Sequence, residues 1–269
     1  MKPRFFLITK PQVACRAIVI LMLMLTASTV CASTAEPFLS EKDYADFATM
    51  FTPPGIEDPL FFNDLCAHAR AHALTDSCRA EVARQDSPWD IGVAKRFEEA
   101  FGQPITLEKT PELYLLLERT SLDVSLALRP IKQEFHRDRP YVFFGEKTLI
   151  PDDEEDLRSN GSFPSGHSAV GFAFALILAE LAPEHQTELL QRGIDFGNSR
   201  VIANYHWQSD VETGRVIAAM VVSRLHACDA FREQLERARH EHRVAATTQM
   251  CPPMGVSLSG GLQKRRAYE

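Results

Sequence analysis

The sequence has no excess of basic residues, no paired-cysteine metal motif, no period-two alternation and no long apolar run, and each absence closes off a class of protein. Lys and Arg number 29 against 36 Asp and Glu, so overall charge does not favour nucleic acid or an anionic membrane surface as a partner. No CxxC pair or matched His spacing is present, which argues against a metal site. Val, Ile and Thr do not alternate over any useful length, which argues against a sheet. The apolar stretches fall short of the ~20 residues needed to span a bilayer, and no internal repeat is visible.

No Asp or Glu precedes Glu36. Lys2, Arg4, Lys10 and Arg16 form a basic start, Ala17 to Leu25 a short apolar core, and Val30-Cys31-Ala32 a small-residue cleavage site. This pattern predicts a signal peptide over 1–32, export to the periplasm or medium, and no stable membrane insertion after cleavage. Taking those four basic residues from the 29 leaves 25 against 36 acidic, a net charge of −11. An anionic substrate must therefore be drawn in by a local cluster of cations. Four cysteines remain, Cys66, Cys78, Cys228 and Cys251. In an oxidising compartment they imply two disulfides with three possible connectivities, and Cys66–Cys78 with Cys228–Cys251 closes the shortest loops.

Apolar residues recur at three and four throughout, which predicts an all-α fold: a single helical bundle over 33–243 with a loose tail over 244–269. Expected helices are Ser40 to Phe47, Pro59 to Leu74 capped by Asp58, Asp76 to Arg84, and Pro88 to Phe101 ended by Gly102. A long helix opens at Thr110-Pro111, kinks at Pro130 and runs towards Pro140. Tyr141 to Gly161 reads as a loop whose acidic run, Asp152 to Asp156, is solvated. Ser165 opens a helix that is apolar almost all round, which places it at the centre of the core. Pro183 to Asn198, His206 to Leu225 (with Val211, Val216, Ile217, Met220, Val221 and Val222 inward) and Phe231 to His242 complete the bundle.

Three segments carry the chemistry. In Lys132-Gln-Glu-Phe-His-Arg-Asp-Arg139-Pro140 two cations seven apart would share a helix face and converge on one anion, with Arg139 suited to bidentate contact. Gly161-Ser-Phe-Pro-Ser165-Gly166-His167 places a tight turn before the central helix, whose free amides form an anion site. His167 sits in its first turn. In Ser199-Arg200-Val-Ile-Ala-Asn-Tyr-His206-Trp-Gln-Ser-Asp210, the carboxylate four residues on can reach the imidazole and fix its tautomer. Each segment alone is commonplace. Together they supply a nucleophile with an orienting carboxylate, an acid and three cations, the parts that phosphoryl transfer requires.

These three segments resemble the signature of the phosphatidic acid phosphatase type 2 superfamily, which also holds vanadium haloperoxidases. The wording around Gly161 and Ser199 is similar to that of class A bacterial non-specific acid phosphatases, over about Asp86 to His242. The resemblance implies that His206 attacks phosphorus and Asp210 orients it, while His167 protonates the leaving alcohol and later assists water. Lys132, Arg139, Arg200 and the Ser165 and Gly166 amides would hold the phosphate. It further implies broad specificity for small phosphate monoesters, a metal-independent and cofactor-free reaction, vanadate inhibition and a possible homo-oligomer. One departure is visible: the glutamate common three turns before the motif lysine falls here near Ser121, with Asp123 the nearest carboxylate. A vanadate-dependent haloperoxidase or a lipid phosphate phosphatase would use the same residues.

Overall fold

Chain segments whose apolar residues fall on one stripe must bury it against a neighbour, and here they bury it against a helix that is apolar almost all round. The computed structural model describes residues 35–89 and 92–250; the expected leader, Cys251 and the end of the tail lie outside the described residues. The helices are α1 (Pro59–His72), α2 (Cys78–Gln85), α3 (Gly92–Lys95), α4 (Glu98–Phe101), α5 (Pro111–Glu134), α6 (Pro140–Phe144), α7 (Glu154–Arg158), α8 (Gly166–Leu181), α9 (Gln186–Ile202), α10 (Gln208–Leu225) and α11 (Asp229–Met250). No strand occurs among the described residues, and none of their helices is long and apolar enough to cross a membrane. The fold is all-α, as expected.

α8 is the central helix. Val170, Phe174, Ile177 and Leu178 are each at most 2% exposed, and burying each such side chain stabilises the fold by about 1.5–3 kcal/mol. α9, α10, α5 and α11 pack around it. Close approach depends on glycine: a Cβ on Gly193 of α9 would lie 2.5 Å from the Ala175 Cβ, and one on Gly214 of α10 would lie 2.6 Å from the Ser165 carbonyl. Ser165 caps α8 by accepting from the Ser168 amide at 3.3 Å, and Asp58 caps α1 through the Leu60 amide at 2.8 Å.

Several boundaries differ from expectation for local reasons. Residues 40–49 form two short 3-10 turns, Glu41–Tyr44 and Phe47–Thr49. Their anchor is Asp123, fully buried, which accepts from the Phe38 and Leu39 amides at 2.9 and 3.0 Å and from the Tyr44 hydroxyl at 2.9 Å. Asp123 therefore pins the N-terminal segment to α5 and spends its acceptors there. The stretch 141–161 is not a plain loop; it holds part of α6 and all of α7. Within its acidic run Glu154 is buried, accepting from the Thr148 amide and hydroxyl at 2.8 and 3.0 Å. Val216 is half-exposed, pointing away from the core that Ile217 and Val221 enter. α11 continues to Met250, so the tail is helical where it is described.

The expected Cys66–Cys78 bridge is absent: both are free thiols, Cys66 within α1 and Cys78 at the first position of α2. Each is fixed by its own helix rather than by a shared loop. Cys228 is also free, its Sγ 3.7 Å from the Phe38 carbonyl, and its expected partner Cys251 lies outside the described residues.

Candidate active site

The cations are assembled by turns between helices, not by one helix face. α5 ends at Glu134, and Arg139 is extended (φ −72°, ψ 152°), since a following proline disfavours the helical region. Lys132 and Arg139 are thus on separate elements. They meet at the Gly161 carbonyl, to which Lys132 Nζ donates at 3.0 Å and Arg139 Nη2 at 3.5 Å. Glycine is required at 161 because a Cβ would fall 2.7 Å from the Phe135 carbonyl oxygen.

Arg139 is 3% exposed and held by five contacts. Its Nε donates to the Leu157 and Asn160 carbonyls at 3.0 Å each, and its Nη1 to the Tyr205 carbonyl at 3.0 Å and to His206 Nε2 at 3.2 Å. A guanidinium can only donate, so Nε2 carries the imidazole lone pair and the neutral ring bears its proton on Nδ1. That nitrogen lies 3.4 Å from Asp210 Oδ2 but makes no aligned hydrogen bond. The contact is electrostatic. Burial, followed by Arg139, Lys132 and Arg200, holds the His206 pKa well below that of a free histidine.

His206 precedes α10 rather than lying on it, and Trp207 is the N-cap. The chain reaches it through Asn204, whose positive φ of 67° suits the left-handed region that asparagine tolerates. Asp210, in the first turn of α10, is fully buried. It accepts from the Trp207 amide at 2.8 Å and from Arg137 Nη1 at 2.7 Å. Arg137 Nη2 also donates to Asp64 of α1 at 2.7 Å, and Asp64 takes the Ser209 amide and hydroxyl at 2.8 and 2.7 Å. Burial raises the Asp210 pKa, with Arg137 the largest opposing influence.

His167, in the first turn of α8, donates Nε2–H to the Ser87 carbonyl at 2.8 Å. Its pKa is lowered first by burial and then by Arg200. Arg200, 1% exposed in the last turn of α9, donates Nη1 to Ser87 Oγ at 2.8 Å and lies 4.6 Å above the Tyr205 ring. Its Nε is buried without a hydrogen-bond partner, and burial brings its pKa down to about 10. Burial, with Arg139 next, brings Lys132 down to about 7. Ser87 is placed by its neighbour Asp86, which binds Arg192 through both oxygens and accepts from Ser199 Oγ at 2.6 Å.

A cavity of about 770 Å³ is lined by Lys132, Arg139, Gly166, His167, Arg200 and His206 together. Of the expected residues Asp210, which lies behind His206, and Ser165 do not line it. Ser165 turns away from the space altogether. Its amide donates to the Asp210 carbonyl at 3.0 Å and the residue is fully buried, so it shapes the turn, and the following amides of Gly166 and His167 begin the helix at the cavity. Asp64, Ser87 and Arg137 went unassigned by sequence reasoning. Arg137 stands inside a motif already singled out, whereas Asp64 has no local signal. Among the described residues no group of three or more His, Cys, Asp or Glu is placed to hold a metal.

The profile of the PAP2 superfamily matches residues 115–233. The non-specific acid phosphatase of Providencia stuartii is 42% identical over 191 residues, 70% of this chain and 77% of that protein. The non-specific acid phosphatase of Salmonella typhimurium is 36% identical over 229 residues, 84% and 92% of the two chains. The acid phosphatase of Zymomonas mobilis is 34% identical over 201 residues, 74% and 76%.

Proposed function

The chain belongs to the PAP2 superfamily, and on that premise we propose that it is an exported acid phosphatase that hydrolyses small phosphate monoesters through a phosphohistidine on His206. The observation that carries the mechanism is the lone pair on His206 Nε2, fixed by a donor-only guanidinium at 3.2 Å inside a cavity lined by cations. When a phosphate binds, its oxygens take over the donors of Arg139, Lys132, Arg200 and the Gly166 and His167 amides, which releases Nε2. The lone pair forms the N–P bond as the bond to the ester oxygen breaks, and His167 gives that oxygen its proton. The Nδ1 proton of His206 stays facing Asp210, which stabilises the charge gained by the ring. Water then attacks phosphorus, the N–P bond breaks, His167 recovers a proton, and phosphate leaves. Charge on the three equatorial oxygens is met by three fixed cations, so chelators leave the rate unchanged and vanadate inhibits.

A depressed pKa keeps His206 unprotonated at acidic pH. The same cations oppose a proton on His167, and the dianionic substrate reverses that local field, restoring the acid when it is needed. Export rests on the acid-free basic start and short apolar core of residues 1–32. The decisive experiment is rapid quench into alkali followed by peptide mapping. Phosphate is expected on the peptide containing His206 and is lost in His206→Ala. Label on any other residue, or steady turnover by His206→Ala, overturns the mechanism.

A further inference from the structure

The cavity, about 770 Å³, is far larger than a phosphate group and matches sites that enclose whole organic molecules. Trp89, 46% exposed, lines the same space. Its indole packs edge-on against the His167 imidazole, centroids 4.7 Å apart at 63°. The benzo edge abuts Gly166: a Cβ there would meet Trp89 Cη2 at 3.4 Å and Cζ3 at 3.7 Å. One edge is thereby covered while nearly half of the residue's surface stays exposed. Leu128, 3% exposed, and Pro88 extend the same wall.

This position has a chemical consequence, which rests on the assignment of His167 as the acid. The group that protonates the leaving oxygen must touch that oxygen. Trp89 touches that acid, so the first carbons beyond the ester oxygen emerge alongside the indole. A planar ring close to the ester oxygen can stack there or meet it edge to face, an advantage that a puckered ring of the same size lacks.

We infer that Trp89 is a specificity-determining platform for the leaving group, and that the preferred substrates are phosphate monoesters carrying a planar aromatic ring next to the ester oxygen. Benzyl phosphate and cyclohexylmethyl phosphate make the test, since their alcohols differ far more in planarity than in basicity. The quantity read is the ratio of their kcat/KM values. The ratio is expected to favour the benzyl ester in the wild type, to fall about tenfold in Trp89→Leu, and to be largely restored in Trp89→Phe. Competitive inhibition by inorganic phosphate, measured in each variant, reports whether the phosphate site is intact. A wild-type ratio near one, or a ratio unmoved by Trp89→Leu, overturns the inference while leaving the phosphatase reading in place. Failure of the wild type to hydrolyse either ester removes that reading as well.

Discussion

At the scale of single residues, the site sets cationic side chains where the solvent cannot fully charge them. Lys132 is the clearest case, its pKa brought down to about 7 by burial and by Arg139. A cation whose folded pKa is depressed costs stability in full below that pKa, and the cost fades as pH rises towards the unfolded value. Lys132→Met is therefore expected to melt higher than wild type below about pH 7, by roughly 2–4 °C for each kcal/mol recovered at this chain length. The gain should shrink steadily as pH rises from there. The same change should lower kcat by about 10²–10³-fold, the usual effect of removing one preorganised donor. Calorimetry across pH, with phosphate release measured in parallel, checks both. The cavity lining was the part most legible beforehand: Lys132, Arg139, Arg200 and both imidazoles all fall in the three short motifs singled out in the sequence. Arg137 escaped because a third charge in a charged run has nothing local to distinguish it from a solvated one.

At the scale of elements, the geometry came out differently although the residues did not. Helical spacing brought Lys132 and Arg139 together on paper, whereas the chain brings them together through an extended segment and the Gly161 carbonyl. His206 was expected on a helix and lies one residue before the N-cap. In both places a turn replaces the final or first helical turn, and turn geometry depends on what the backbone can hydrogen-bond across the fold. The central helix was legible because an all-apolar helix has only one place to go. Its contact with α10 is steric: Gly214 admits the Ser165 carbonyl, and Ser165 in turn donates to the Asp210 carbonyl. Gly214→Ala must spread α8 from α10 at the level of Asp210. A loss of about 1–3 kcal/mol is expected from such overpacking, together with a fall in kcat larger than any change in KM. Urea unfolding and steady-state kinetics on one preparation test whether the two move together.

At the scale of the whole molecule, an acidic protein encloses a basic pocket. The chain carries a net charge of −7, while Lys132, Arg139 and Arg200 line one cavity. Their mutual repulsion is relieved by an anion, so inorganic phosphate should stabilise the native state by about 2.7 kcal/mol at a hundred times its Kd. Chloride at equal ionic strength should do far less, because it offers no bidentate acceptors. Thermal melts in the two salts decide the matter, and equal shifts would mean that charge screening rather than site occupancy is responsible. What could not be foreseen at this scale was the role of α1. Asp64 meets Ser209 from 145 residues away, and no periodicity reports a contact of that range.

The Arg137 guanidinium joins Asp64 and Asp210, each 73 positions from it along the chain. A polypeptide made from its N-terminus has the first two members long before the third. Until Asp210 arrives Arg137 can neutralise only one carboxylate, and on the proposed mechanism His206 lacks its orienting partner. On the proposed mechanism, catalytic competence therefore waits for α10. On that mechanism a copy lacking α10 would lack Asp210 and turn over nothing.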